Sequence, residues 1–271
     1  MQNDLMLTYM TSVLSFLVFI PLILILYLTI TKKMKLKPIL LGVVTYMLIY
    51  IVTQLLFPLV NLITGGLLTS HFAASLIIVG ILTPLLTQFF TYFVFQRLLP
   101  DNREWTDGAG FGLGLGVAWV IATIGVSVFF TMTFRLAMLD GSFDAHVASL
   151  TQEEAQQFFN TRDQLAQTPL MNFVLVGIAG LCAMVVHTAM SILMLAGIRK
   201  NSKKFMLTAL VSNLILYVPF YLATGMVVNY WCEGILLVLT GLAVFYIIRS
   251  CDMPDDDEPY QSRPSPLLNR K

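Results

Sequence analysis

Long apolar stretches, each about the length that crosses a bilayer and each closed by a short polar break, constrain this chain more than anything else in it. The hydrocarbon core of a membrane is about 30 Å thick and takes roughly 20 apolar residues to span as a helix. Within it every backbone polar group must be satisfied internally, which leaves helices or a closed barrel. Seven stretches qualify, at about 8–31, 38–63, 71–99, 105–134, 169–198, 205–224 and 226–248. The fold class expected is therefore an all-α polytopic membrane bundle of about seven transmembrane helices. The last two are separated by so weak a polar break that a re-entrant hairpin is the alternative there. A mean hydropathy of +0.80, with 57% hydrophobic and only 11% charged residues, agrees with an integral membrane protein.

Lys and Arg accumulate in cytoplasmic loops, so their placement sets orientation. Lys32, Lys33, Lys35 and Lys37 follow the first stretch, Arg97 and Arg103 the third, and Arg199, Lys200, Lys203 and Lys204 the fifth. Arg249, Arg263, Arg270 and Lys271 follow the seventh, which leaves Arg135 and Arg162 for the other side. The N-terminus is therefore expected outside and the C-terminus inside. The first stretch carries Asp4 before it and its lysines after it, the reverse of a cleaved secretory signal, so it is expected to be retained.

Residues 1–249 are read as one helix bundle with two segments outside the bilayer. In the outer loop, 135–168, Thr151 and Glu154 stand at capping-box spacing. Ala155, Phe158, Phe159, Leu165 and Ala166 then share one helical face with Arg162, predicting a short amphipathic helix on the membrane surface or on the bundle. The tail, 250–271, is rich in Pro and acids and is expected to be a disordered cytoplasmic segment. A net charge of +1 gives no footprint for nucleic acid. Three cysteines, Cys182, Cys232 and Cys251, form neither an even disulfide framework nor a metal-type spacing.

In "DGAGFGLGLGVAWV", residues 107–120, glycine occupies every second position from Gly108 to Gly116. A phosphate-binding loop needs a turn between a strand and a helix with free amides at the helix start. Here no strand precedes the glycines and they lie within an apolar run. As a helix, Gly108, Gly112 and Gly116 repeat every four residues, as do Gly110 and Gly114, giving two overlapping small-residue grooves for helix packing.

Polar groups at bilayer depth are costly and are functional candidates by default. His187 lies deep in the fifth stretch with Ser191 four residues on, hence on the same face. Asn213 lies in the sixth stretch, Glu233 near the outer end of the seventh, and His71 and Asp107 near the ends of theirs. Gln54, Asn61, Gln88 and Ser212 add neutral hydrogen-bonding groups, and Pro58, Pro84 and Pro219 kink their helices. His187, Ser191, Asn213 and Glu233 are the candidates for a cavity or binding site, with interhelical hydrogen bonding as the alternative role. No His-Glu-x-x-His pair is present. The seventh stretch has no lysine for a retinal Schiff base. A zinc site needs three or four N, S or O ligands, and only His187 is a deep imidazole, so no metal ligand is assigned. Zinc would require Glu233 or an asparagine to be recruited.

The order of these features resembles the YhfC family of bacterial intramembrane metalloproteases, distant relatives of the CAAX-processing membrane proteases, over about residues 85–220. The family's Gly-rich helix reads approximately Gly-x-Gly-His-Gly-Gly-x-Glu-Ala. Gly110, Gly112, Gly114 and Ala118 match it, whereas Leu113 stands at the His position and Val117 at the Glu position. Arg97 matches the Arg of a preceding Glu-Glu-x-x-Arg element whose acids are missing. His187, Ser191, Arg199 and Lys200 match the family's His-x-x-x-Ser and basic turn, without the Glu-Arg pair that comes before. Asn213 and Tyr217 stand nearest to a His and an Asp expected in the sixth helix.

The resemblance implies a bacterial cytoplasmic-membrane protein and a metalloprotease centre from which the glutamates and all but one histidine are gone. A metal-activated water needs several ligands and a carboxylate to accept its proton. The expectation is a noncatalytic binding or scaffold protein for a membrane helix, peptide or lipid, with no cofactor. Two alternatives stay open: an active intramembrane peptidase with a rearranged site, and a permease or membrane subunit of a transporter.

Overall fold

The computed structural model describes residues 2–63, 76–224 and 230–251, without the side chains at 2–6, 61, 79, 166–167, 170, 218–224, 230–235, 248 and 250–251. His71 and the acidic tail beyond 251 lie outside the described residues, as does the side chain of Glu233. Among the described residues every regular element is helical: α1 (Gln2–Ile30), α2 (Leu36–Ile63), α3 (Thr83–Arg97), α4 (Trp105–Val120), α5 (Val126–Asp140), α6 (Ser142–Val147), α7 (Gln152–Gln167), α8 (Leu170–Arg199), α9 (Lys203–Thr224) and α10 (Tyr230–Cys251). A π-helical segment, Leu76–Leu82, leads into α3, and a second, Ile121–Gly125, joins α4 to α5.

Five of these helices are long and apolar enough to cross a membrane: Leu7–Ile30, Leu36–Val60, Leu76–Arg97, Trp105–Asp140 and Met171–Arg199. The chain is thus a multi-pass helical membrane protein. α9 and α10, each 22 residues long, pack on α8 beside them.

α4 is the centre of the bundle, held between α2 on one face and α8 on the other. From Asp107 to Val120 every one of its residues is buried. Its N-terminus is fixed by a polar latch at the end of the bundle that carries the first lysine cluster. Asp107, fully buried, accepts from the Asn102 amide at 2.9 Å and from the Glu104 backbone N–H at 3.1 Å. Lys35, in the turn before α2, pairs with both Asp107 and Glu104 at 3.4 Å. Partial burial lowers the Lys35 pKa, but attraction to Asp107 and then Glu104 outweighs it and leaves the ammonium above its usual 10.5.

α1 stands at the periphery. Its Val13 meets Gly177 of α8, Leu17 meets Gly180, and Leu14 reaches Gly125, while Phe16, Phe19, Ile23 and Leu26 on the same helix are exposed. Exposure of large apolar side chains, costly in water, is the ordinary condition of a lipid-facing helix.

Beyond Phe134 the apolar helix does not stop: α5 continues to Asp140, so Arg135 is helical and only 7% exposed. Gly141, at φ 80°, then reverses the chain into α6, a backbone geometry open to glycine at little cost. α6 and α7 pack on the end of α5 through aromatic rings, with Phe134 against Phe143 at 5.4 Å and Phe158 at 5.9 Å, and His146 against Phe158 at 5.3 Å. Thr151 caps α7. The Glu154 N–H donates to Thr151 Oγ1 at 3.4 Å, and the Thr151 N–H donates to Glu154 Oε2 at 3.0 Å. The Thr151 hydroxyl and backbone N–H hold Glu154 below its usual 4.5. Arg162 stacks over Phe159 at 5.0 Å and pairs with Asp163 at 2.9 Å.

Candidate functional site

The site grows out of the absence of side chains on α4. A Cβ added at Gly112 would meet Thr188 Cα at 2.6 Å, with the His187 carbonyl oxygen and Ser191 Cβ both at 2.8 Å. One at Gly116 would lie 2.9 Å from Met184 Cα and 3.4 Å from His187 Cβ, and one at Gly108 would lie 3.1 Å from Ile192 Cα. These three glycines let the α8 backbone approach to contact. On the α2 side, a Cβ at Gly114 would run into the Ile39 carbonyl, and one at Gly110 would meet Ile39 Cγ1 at 3.3 Å. Gly42 of α2 reciprocates, since a Cβ there would strike the Phe111 carbonyl and come within 2.8 Å of the Leu115 nitrogen. α4 therefore has a backbone-to-backbone seam on each side.

His187 and Ser191 are thereby pressed against the α4 glycines, 1% and 3% exposed. The His187 imidazole sits in an aromatic setting, its ring centre 5.7 Å from that of Trp119 on α4 and 6.0 Å from that of Tyr217 on α9. Trp119 and Tyr217 meet edge to face at 6.0 Å. One helical turn before Tyr217, Asn213 is fully buried and its Nδ2 donates to the Pro84 carbonyl of α3 at 3.3 Å. Gln88, 5% exposed, lies one turn beyond Pro84. Three of the four candidate binding residues are thus brought to one junction of α3, α4, α8 and α9. Glu233 belongs to α10, and its side chain is outside the described residues.

Leu113 and Val117, expected from the resemblance to stand in place of a His and a Glu, are 6% and 4% exposed and belong to the hydrophobic core. Among the described residues no three His, Cys, Asp or Glu side chains gather in a way that could hold a metal ion. The donor set here, one imidazole among two aromatic rings, an amide and a hydroxyl, does not fit zinc, which takes three or four strong ligands. Nor, among the described residues, does the junction offer a carboxylate that could serve as general base for an attacking water.

Trp119 is the member of this junction that the sequence did not single out. The available signal was a large indole inside the small-residue helix, a side chain that the bundle must accommodate between the glycines and their neighbours. Asn213 was a candidate whose partner could not be read, because the Pro84 carbonyl lies on a helix remote in sequence, and Gln88 was visible only as a scattered polar group.

Comparison with known proteins extends well beyond the motif region. The uncharacterized membrane protein YhfC of Bacillus subtilis (strain 168) is 23% identical over 161 residues, covering 59% of this chain and 62% of that protein. The aligned part thus spans less than two thirds of the relative's length. No solved structure matches the chain. Residues 16–237, from α1 into α10, match the model of the YhfC intramembrane metalloprotease family, a range that contains both the glycine seam and the junction around His187. The chain belongs to the YhfC intramembrane metalloprotease family.

Proposed function

We propose that this chain is a noncatalytic member of its family, a seven-span protein of a bacterial cytoplasmic membrane with its N-terminus outside, serving as a binding or scaffold protein for a membrane helix, peptide or lipid. One observation carries the reading: the two positions where the family's Gly-rich helix has His and Glu hold Leu113 and Val117, both buried in the core. Without the imidazole a metal loses a ligand, and without the carboxylate the attacking water loses its proton acceptor. The scaffold around them is in place: the glycine seams, the His187–Ser191 face and the contact of Asn213 to α3. Large apolar side chains on α1 and α2, such as Phe16, Phe19, Leu55 and Leu62, offer outward surface for a membrane-embedded partner.

The test is to purify the protein in detergent, measure bound metal, and incubate it with a panel of membrane peptides. The expected result is substoichiometric zinc and no cleavage. Stoichiometric zinc together with proteolysis that Ala at His187 abolishes would instead establish an active peptidase with a rearranged site. Solute uptake by vesicles containing the protein would overturn the reading in favour of a permease.

A further inference from the structure

At the junction of α3, α8 and α9, three buried polar atoms have no hydrogen-bond partner among the described residues: His187 Nε2, Asn213 Oδ1 and Gln88 Oε1. They belong to side chains that are 1%, 0% and 5% exposed. Leaving a buried polar group unsatisfied costs about 1–3 kcal/mol, and native proteins meet such groups with ordered water where a site is polar. Three at one place is too many to leave to chance.

The helices that carry these side chains bring them to one neighbourhood. The Asn213 amide nitrogen reaches the Pro84 carbonyl at 3.3 Å. Gln88 is one turn further along α3, and because a helical Cβ tilts toward the N-terminus its side chain leans back toward Pro84 and hence toward Asn213. On α9, Tyr217 is one turn from Asn213 and its ring contacts His187 at 6.0 Å between centres. Both π-helical segments adjoin this place, one ending two residues before Pro84 and the other beginning two residues after Trp119. Such segments interrupt the regular ladder and often mark functional positions.

From this placement we infer a buried hydration site, in which one or two water molecules bridge His187, Asn213 and Gln88 across α3, α8 and α9. Water suits the inventory. Asn213 Oδ1 and Gln88 Oε1 can only accept, so the bridging species must donate to both, and a neutral imidazole nitrogen can either donate to it or accept from it. The side chains that define the junction, His187, Ser191, Asn213, Gln88, Trp119 and Tyr217, carry no carboxylate or ammonium to neutralise a small ion, whereas water requires no counter-charge. The bridged water makes the junction a polar strap inside an otherwise apolar bundle. This does not depend on whether the chain is catalytic.

Hydroxyl-radical footprinting in ¹⁸O-water, on the full chain in nanodiscs, reads the site directly. Radicals formed from resident water label the side chains beside it even when those are shut off from solvent. The expected result is ¹⁸O incorporation at His187, Trp119 and Tyr217 well above that at Phe95 and Phe111, a fully buried ring pair 5.0 Å apart. Labelling no higher than at those two rings overturns the inference. A second arm uses Gln88→Met, which keeps side-chain volume and removes the polar atoms. With water present, the change strands it and lowers Tm by about 2–4 °C, the shift that 1 kcal/mol gives in a chain of this size. If the junction is dry, the same change removes an unsatisfied group, and an unchanged or raised Tm overturns the proposal.

Discussion

α1 and the continuous span formed by α4 and α5 are both long and apolar enough to cross a bilayer, and by hydropathy α1 is the stronger of the two. The most apolar 18-residue stretch of the α1 span, Leu7–Ile30, has a mean hydropathy of 2.8 with 17% of its residues buried, against 2.2 and 67% for that of the Trp105–Asp140 span that begins with α4. In water the more apolar helix would be the buried one. In lipid the order reverses, because hydrocarbon is as good a solvent for Leu and Phe as the protein interior, and what draws a helix inward is close packing of small residues. α4 has its five alternating glycines; α1 has Phe16, Phe19, Ile23 and Leu26 pointing away from the bundle. The bundle's inside is marked by what its helices lack.

The sharpest way to break this comparison is to add atoms where they are missing. Gly112→Leu places a side chain where even a Cβ lies 2.6 Å from Thr188 Cα, and backbone on α8 cannot give way as a flexible side chain could. Overpacking a core costs about 1–3 kcal/mol, and more where backbone must move. The expected outcome is loss of monodisperse protein, with Gly112→Ala and Gly42→Ala folded but destabilised by up to about 3 kcal/mol. Size-exclusion profiles and thermal unfolding in detergent check it. Gly241→Ala on α10 is the control: nothing lies within 4 Å of its Cβ, and Ala favours the helix. If Gly112→Ala is as stable as Gly241→Ala, the seam does not hold α4.

Next in size is the introduction of the absent chemistry. Val117→Glu puts an ionisable group into the core at bilayer depth, at a cost of about 2.5–3.5 kcal/mol on insertion scales. The double change with Leu113→His should be less stable still, and zinc should not restore its Tm, because Leu113 and Val117 are packed as core residues. Recovery of Tm with zinc would mean that the junction keeps a metal-ready geometry around His187.

How much of this could be read from the chain follows the same physics. The spans, the lysine clusters and the two glycine registers are periodic or compositional, so they are legible one helix at a time. The Thr151–Glu154 cap is legible because its whole mechanism lies within four residues. By contrast, the ring of His187, Trp119 and Tyr217 joins three helices, and the Asn213 contact to Pro84 spans 129 positions. A backbone carbonyl acceptor leaves no mark on the identity of its residue. Nor did the sequence reveal that α5 runs on past Phe134, since Arg135 reads as the start of a loop until its burial is seen.

The latch at the head of α4 gives a smaller and pH-dependent effect. Asp107→Asn leaves an amide where Lys35, Asn102 and the Glu104 N–H all address a carboxylate. Breaking a buried pair costs several kcal/mol, but Lys35 is 51% exposed and solvent screens its share, so about 1–2 kcal/mol is expected. Because folding raises the Lys35 pKa, its contribution is complete below the unfolded value of 10.5 and is lost as pH climbs through the higher folded value. Tm of the native protein should therefore fall, as pH rises above 10.5, more steeply than that of Asp107→Asn. Parallel curves would show that the pair contributes nothing.

The smallest effect belongs to α7, where aqueous rules apply and the contrast with α4 is completed. Thr151→Ala removes the hydroxyl that accepts from the Glu154 N–H, an N-cap whose loss frees one end of one short helix. Folding lowers the Glu154 pKa, so its share of the cap is present above the unfolded value of 4.5 and disappears as pH falls through the lower folded one. Hydrogen exchange over 152–167 should accelerate several-fold in Thr151→Ala at pH 7, while exchange in α4 and α8 stays as it was. The native protein should show the same local loss only below pH 4.5. α7 meets the bundle through ring contacts to α5 and α6, not through either glycine seam. Loosening its cap should leave the close approach of α2, α4 and α8 unaffected, and spread of the faster exchange into α4 would refute that separation.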